Sequence, residues 1–472
     1  MKRQKLVISH LFIYFLLVNC AWSVIAQSPQ ALKIFTQKGN LSHAGIGFKA
    51  VDLTTGNVIA SYNENMALTP ASTMKIVTTS TALEVLGNNY FYTTDLFHDG
   101  VIEDSVLKGN LYIEGNGDPS LGSEFSEKEK EAFIDTFLLG IREKGIKSIE
   151  GNIVVLDQLF GYDGVSPKYL WEDMGNYYAP GIYGISIFDN MYRIYLQSFA
   201  PGSETTTLYM EPEIKAIQFT NEIIAGDTHS DNSAIWGIPF SYNRRLYGTI
   251  PPNKTSFAVK GDIPDPGIFL AQYFMSSLQK HGIEVKGEAL TYRTNPQDPQ
   301  ERKEIAVNNS NNLASLVRVV NVRSNNHYAE HLYKTLQFTK KIDIPVYWKE
   351  KGLDSSALFM FDGSGISPAN AISAGFLTDI LIYMNKKNGK SGAFYKSLPI
   401  AGKEGTVASF LKSTPLAGKV HVKSGSITNV QSYAGYIEKG DKRYAFAIII
   451  NNFTGKRADV RREIEQLLVG LF

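Results

Sequence analysis

Pro70-Ala71-Ser72-Thr73-Met74-Lys75 is the stretch on which the reading turns. Apolar positions run on from it through Ile76, Leu83 and Leu86 to Gly87, the pattern of a helix with a glycine stop. A spacing of three puts Ser72 and Lys75 on one helix face, with Ser72 at the helix start, where backbone N–H groups favour a developing oxyanion. A serine hydroxyl is a weak nucleophile until a base takes its proton. Lysine can be that base once desolvation or a second cation lowers its pKa. The four-residue pattern is common, however, and Ser105–Lys108, Ser277–Lys280 and Ser409–Lys412 share it. The first lies in an extended run, which sends the two side chains to opposite faces; the others lie in helical patterns without a start signal.

Two further groups follow downstream. Ser324-Asn325-Asn326 succeeds the helical pattern Leu313–Val322 and reads either as a cap or turn, or as a hydroxyl and an amide facing one cleft. Lys423-Ser424-Gly425-Ser426 enters an extended run, with Lys423 and Gly425 on one face and Ser424 and Ser426 on the other. Gly425 there would let a ligand approach the backbone closely. Each group alone is unremarkable. Their order decides: Ser-x-x-Lys, then Ser-x-Asn 252 residues on, then Lys-Ser-Gly 99 residues further. Together they are similar to the signature set of penicillin-binding proteins and serine β-lactamases.

The ends of the chain read as one domain. Phe48–Leu53 and Val58–Tyr62 flank Thr54-Thr55-Gly56-Asn57 as a hairpin, and Ser432–Ile437 and Arg443–Asn451 form a second. A helical tail from Ala458 to Leu471 carries Val460, Ile464, Leu467 and Leu468 on one face. Between them lie many short extended runs, and the stretch Asn295-Pro296-Gln297-Asp298-Pro299 looks like a boundary. The expected division is a leader at 1–26, a first catalytic part at 27–95, an inserted and mostly β region of two subdomains at 96–299, and a second catalytic part at 300–472.

Composition removes other classes. Lys+Arg number 47 against 46 Asp+Glu, which gives no electrostatic footprint for nucleic acid. A single cysteine, Cys20, rules out a disulfide framework within the chain. Lys2, Arg3 and Lys5 ahead of the apolar run Leu6–Val18, with Val24-Ile25-Ala26 after it, read as a secretory signal peptide, so a periplasmic location is expected. A lipoprotein signal ending at Cys20 fits less well, because Asn19 is not the small residue such a site wants. No later segment has 18 uninterrupted apolar residues, so no membrane span is expected in the mature chain. His327-Tyr328-Ala329-Glu330-His331 matches an inverted zincin pattern and supports a rival zinc peptidase, but no third ligand is marked in the sequence.

The chain resembles the penicillin-binding-protein-4 type D-alanyl-D-alanine carboxypeptidases/endopeptidases, the low-molecular-mass class C group. The resemblance covers the three motifs, Gly117-Asp118-Pro119, Ala329-Glu330, Asp362-Gly363-Ser364-Gly365-Ile366-Ser367, Leu398-Pro399-Ile400-Ala401-Gly402 and Gly418-Lys419-Val420. It implies an α/β (α+β) serine β-lactamase/transpeptidase-like catalytic domain, an antiparallel sheet flanked by helices, with the insertion set between the first and second motifs. It implies a Ser72 acyl-enzyme on peptidoglycan stem peptides, covalent inhibition by β-lactams, and no cofactor or metal. Lys75 would be the base. Ser324, linked to Lys75 and Lys423, would relay the proton, and Asn326 would hold the substrate amide. Lys423 and Ser424 would bind the terminal carboxylate, and Ser426 N–H would complete the oxyanion site. A β-lactamase on the same fold differs only in how fast the acyl-enzyme turns over. Pro368 stands where several members carry an arginine for the diamino acid end of the stem, and Asp157 is the acidic residue expected to contact that end instead.

Overall fold

The computed structural model describes residues 30–296 and 301–472. The expected leader, with Cys20, and residues 297–299 of the Pro-rich stretch lie outside the described residues.

A five-stranded antiparallel sheet is built from both chain ends, in the order Val58–Tyr62, Gly45–Asp52, Lys442–Asn451, Val430–Lys439, Val420–Ile427. The central strand explains its own composition. Ala445, Ala447 and Ile449 face a layer containing Met74, Phe376 and Leu377. Phe446, Ile448 and Ile450 face the opposite layer, which holds Leu32, Val460, Ile464 and Leu468. Alternate side chains therefore enter two different cores, so a strand covered on both faces reads as a continuous apolar run. The tail expected at Ala458–Leu471 is the helix Arg457–Leu471, and its four apolar positions are the buried ones. The second hairpin turns in two residues, with Lys439 paired to Lys442 and Gly440 at φ +57° in the first turn position.

The insert begins and ends in paired strands. Thr93–His98 runs antiparallel to Lys303–Asn309, with Thr93 opposite Asn309 and His98 opposite Lys303, in a sheet that also takes Leu111–Gly115, Ile153–Leu156 and Ala289–Thr291. This corrects the expected boundaries. Residues 303–309 belong to the insert's sheet, and the catalytic body resumes at the helix Leu313–Arg323. The insert also carries two substantial helices, Ala132–Glu143 and Pro266–Lys280. One buried apolar cluster runs through all its sheets, from Leu96 to Ile305, so its parts share a core.

Candidate active site

Ser72 lies in a single 3-10 turn, Ala71–Thr73, that leads into the helix Met74–Leu86. Its neighbours Ala71, Thr73, Met74 and Lys75 are buried, while Ser72 itself is partly exposed. Lys75 is fully buried, and its Nζ donates to Ser72 Oγ at 2.8 Å, Asn326 Oδ1 at 2.6 Å and the Ser364 carbonyl at 2.6 Å. Those three contacts use the whole donor capacity of an ammonium. Burial nevertheless lowers the Lys75 pKa to about 7, against the opposing pull of Glu330 and Asp362.

The second motif is a junction between helices. Ser324 caps Leu313–Arg323 in the left-handed region at φ +54°, and Asn325 then caps Asn326–Lys334 by accepting from Tyr328 N–H at 2.9 Å. Ser324 thus serves both as a helix cap and as a hydroxyl lining the cavity, while Asn325 supplies the second cap. Ser324 Oγ accepts from Lys423 Nζ at 2.9 Å and makes no hydrogen bond to Lys75 among the described residues. The expected link of Ser324 to both lysines is therefore replaced: Lys75 meets Asn326 and Ser364 instead. Asn326 is anchored at both ends of its amide: its Oδ1 faces Lys75, and one of the two Nδ2 N–H groups donates to the Tyr178 carbonyl at 2.8 Å, which leaves the second N–H as a donor.

The third motif lies on the sheet's edge strand Val420–Ile427. Lys423 is buried, donates to Ser324 Oγ and to the Ser424 carbonyl, and has a pKa pushed well below the usual lysine range by burial and by Lys75. Gly425 does permit a close approach, but of the protein's own turn. A Cβ there would meet Ser432 Oγ at 2.4 Å and the Pro70 carbonyl at 2.6 Å. Ser424 Oγ pairs with Thr406 Oγ1 at 2.8 Å, and Ser426 is exposed. Ser72, Ser324, Ser424 and Ser426 together line one cavity of about 470 Å³.

Behind Lys75 stands a support that motif reading undervalued. The Asp362-Gly363-Ser364-Gly365 segment reads as a turn by composition, and it is one: Asp362 accepts from Gly365 N–H and Ser367 N–H, each at 2.7 Å. Its role is to present the Ser364 carbonyl to Lys75. Gly365, at φ +82°, packs so tightly that a Cβ would lie 1.9 Å from the Ala71 carbonyl oxygen, beside Ser72. Glu330 accepts from Gly363 N–H at 3.1 Å and Ser364 N–H at 2.7 Å, and burial, with the Asp362 carboxylate nearby, pushes its pKa above the usual carboxylate range. The zinc reading lacks its further ligand: His327 Nε2 is paired with Ser186 Oγ at 2.7 Å and His331 Nδ1 with the Gly117 carbonyl at 2.9 Å, while Glu330 is committed to backbone amides. No group of three or more metal-ligating side chains occurs among the described residues.

The insert reaches the site by a segment that nothing in the sequence marked. Ser166 Oγ donates to the Phe361 carbonyl at 3.2 Å, the Lys168 carbonyl accepts from Ser367 Oγ at 2.9 Å, and Tyr178 holds Asn326. Asp157 is a correction. It is 2% exposed, accepts from the Tyr162 hydroxyl at 2.8 Å, packs against Gly267 at the start of Pro266–Lys280, and is not among the residues that line the cavity beside Ser72.

A helix-flanked antiparallel sheet, with a serine–lysine pair set against its edge strand, defines a serine acyl-transfer enzyme of the penicillin-binding class. The family model described as D-Ala-D-Ala carboxypeptidase 3 (S13) matches residues 29–471, and the chain belongs to that family. It is 24% identical over 441 residues to a D-alanyl-D-alanine carboxypeptidase of an Actinomadura strain, covering 88% of this chain and 79% of the relative. It is 24% identical over 426 residues to the D-alanyl-D-alanine carboxypeptidase DacB of Haemophilus influenzae, covering 87% and 86%. The crystal structure of penicillin binding protein 4 from Haemophilus influenzae superposes with a TM-score of 0.78 at 22% identity, covering 92% of this chain and 97% of that one. The same protein has been crystallised with a β-lactam, and that complex superposes at 0.74. No helix among the described residues is long and apolar enough to cross a membrane.

Proposed function

We propose that the chain hydrolyses the terminal D-Ala-D-Ala bond of peptidoglycan stem peptides in the periplasm, and that β-lactams acylate it at Ser72. The observation that carries this is the surroundings of Lys75. A neutral amine has two N–H donors and one lone pair, and here it finds two obligate acceptors, Asn326 Oδ1 and the Ser364 carbonyl, and one hydroxyl, Ser72. With a pKa near 7 the neutral form is populated at working pH, and its lone pair is directed at the Ser72 proton.

The steps follow from the two lysine–serine pairs. Lys75 takes the Ser72 proton as Oγ bonds to the penultimate D-Ala carbonyl carbon. As the C–N bond breaks, Ser324 gives its proton to the departing nitrogen and takes one from Lys423, whose lowered pKa makes it a ready donor. Backbone N–H groups of Ser72 and Ser426 hold the oxyanion. Hydrolysis reverses the roles. Water attacks the ester, its proton passes through Ser324 to Lys423, and protonated Lys75 returns a proton to Ser72 Oγ as the acyl bond breaks.

Purified wild-type protein and Ser72→Ala are to be compared for covalent labelling by a fluorescent penicillin, with the adduct mass followed over time. We expect one penicilloyl group per wild-type chain and a fall in labelling of at least about 10³-fold in the variant. Equal labelling of the two proteins would refute the assignment, and the lifetime of the adduct separates a peptidase from a β-lactamase.

A further inference from the structure

The cavity does not end at the motif residues. It runs past Ser424 and Ser426 to Arg457 and Arg461 on the C-terminal helix, which line it together with Ser72. These two arginines are four apart and so share a helix face. Arg457 sits in the first helical turn, where the helix dipole disfavours a cation, and Nη2 ties it to the Ile427 carbonyl at 2.8 Å, at the end of the edge strand. Arg461 Nη1 donates to Ser409 Oγ at 3.0 Å, while its Nε is buried without a partner. No carboxylate lies within salt-bridge distance of either guanidinium among the described residues. The nearest acid along the helix face, Glu465, accepts instead from Leu411 N–H at 2.9 Å.

A leaving group that ends in a carboxylate is held more strongly by a lasting positive charge than by hydroxyls alone. Lys423 is poorly suited, since it is buried beside Lys75 and gives up its proton in the scheme above. A guanidinium keeps its charge at any working pH and binds carboxylate through paired N–H donors. We propose that Arg461, with Arg457 beside it, reads the free carboxylate of the leaving group and so makes the enzyme select peptides whose cleaved-off residue is a free acid.

This rests on the reading of the site given above, and the test separates the two. An acylated peptide ending in D-Ala-D-Ala and the same peptide as its C-terminal amide are assayed with wild type, Arg461→Gln, Arg461→Lys and Arg457→Gln. The acid-to-amide ratio of kcat/KM is internal to each preparation, so a loss of folded protein cancels from it. We expect Arg461→Gln to lower that ratio roughly 10- to 100-fold through the acid substrate alone, the cost of a charge-assisted contact. Arg461→Lys should restore part of it, and Arg457→Gln should show a smaller fall in the same direction. A ratio unchanged in Arg461→Gln, with wild type active, overturns the arginine assignment alone. A wild type that cleaves neither peptide and takes no penicillin overturns both readings.

Discussion

Both halves of this molecule bury charges, and they do so to different ends. In the insert, Arg244 and Asp262 face each other at 2.9 Å with 0% and 4% of their side chains exposed, a closed pair in which each charge meets its opposite. In the catalytic body, Lys75 and Lys423 are buried as completely, but each faces a serine hydroxyl on a cavity wall and each depresses its readiness to hold a proton. Burial of charge is therefore no mark of a site. A marker is a buried base whose proton has somewhere to go, and that requires an incompletely neutralised cluster next to open space.

The comparison breaks most visibly at Gly365. If the Lys75 cluster is held in its reactive state by the loop behind it, a methyl group at a position 1.9 Å from the Ala71 carbonyl and at φ +82° must push that loop from Ser72. We expect Gly365→Ala to slow penicillin acylation by about 10²-fold, the scale of an ångström-sized misplacement of reacting groups. Melting curves check that the insert still folds. An acylation rate within a factor of two of wild type would show that the Ser364 carbonyl is dispensable.

A subtler effect is expected at Glu330. Lys75 acts as its neutral amine, so acylation rises with pH through about 7. The negative charge of Glu330 favours protonated Lys75 and so holds that pKa up. Glu330→Gln removes the charge, and the acid limb of the acylation–pH profile should move to lower pH. The control comes from the other half of the molecule: Asp262→Asn, which disturbs a buried pair of the insert, should leave the limb in place in whatever fraction stays folded. A limb that stays put in Glu330→Gln, or moves upward, would uncouple the carboxylate from Lys75.

How much of this was legible in the sequence divides along the same line. The hairpins, the Ser72 helix and the C-terminal tail follow from local periodicity, because each buries a face whose repeat is set by its own backbone. The three motif serines and both lysines are legible because order and spacing constrain them jointly. The pairing of Lys303–Asn309 with Thr93–His98 is not legible, because the two strands lie about two hundred residues apart and no local pattern records it. Tyr178 and Lys168 touch the site through backbone carbonyls, which any residue could supply, so their identity carries no signal. Arg457 and Arg461 carry no signal for a different reason: the periodicity of the tail marks its apolar face, and the polar face of such a helix ordinarily meets only solvent.

Asp157 gives the smallest effect and the sharpest contrast with Glu330. Burial lifts its pKa to about 6, above the ordinary carboxylate value, with the Tyr162 hydroxyl opposing the rise. A raised carboxyl pKa means that folding disfavours the ionised form. That cost is absent below the unfolded pKa of about 4, grows as pH rises toward 6, and is complete above it. Asp157→Asn keeps an oxygen for Tyr162 and removes the charge. We therefore expect it to raise stability at pH 8 by on the order of 1–2 kcal/mol and to change little at pH 4, measured as paired thermal melts. Its ratio of rates on amidated and unamidated stem pentapeptides should match wild type, because the carboxylate faces Gly267 and Tyr162 inside the insert and not the cavity. A preference for the unamidated stem that disappears in Asp157→Asn would place this residue on the substrate after all, and would erase the distinction between charges buried for the fold and charges buried for the reaction.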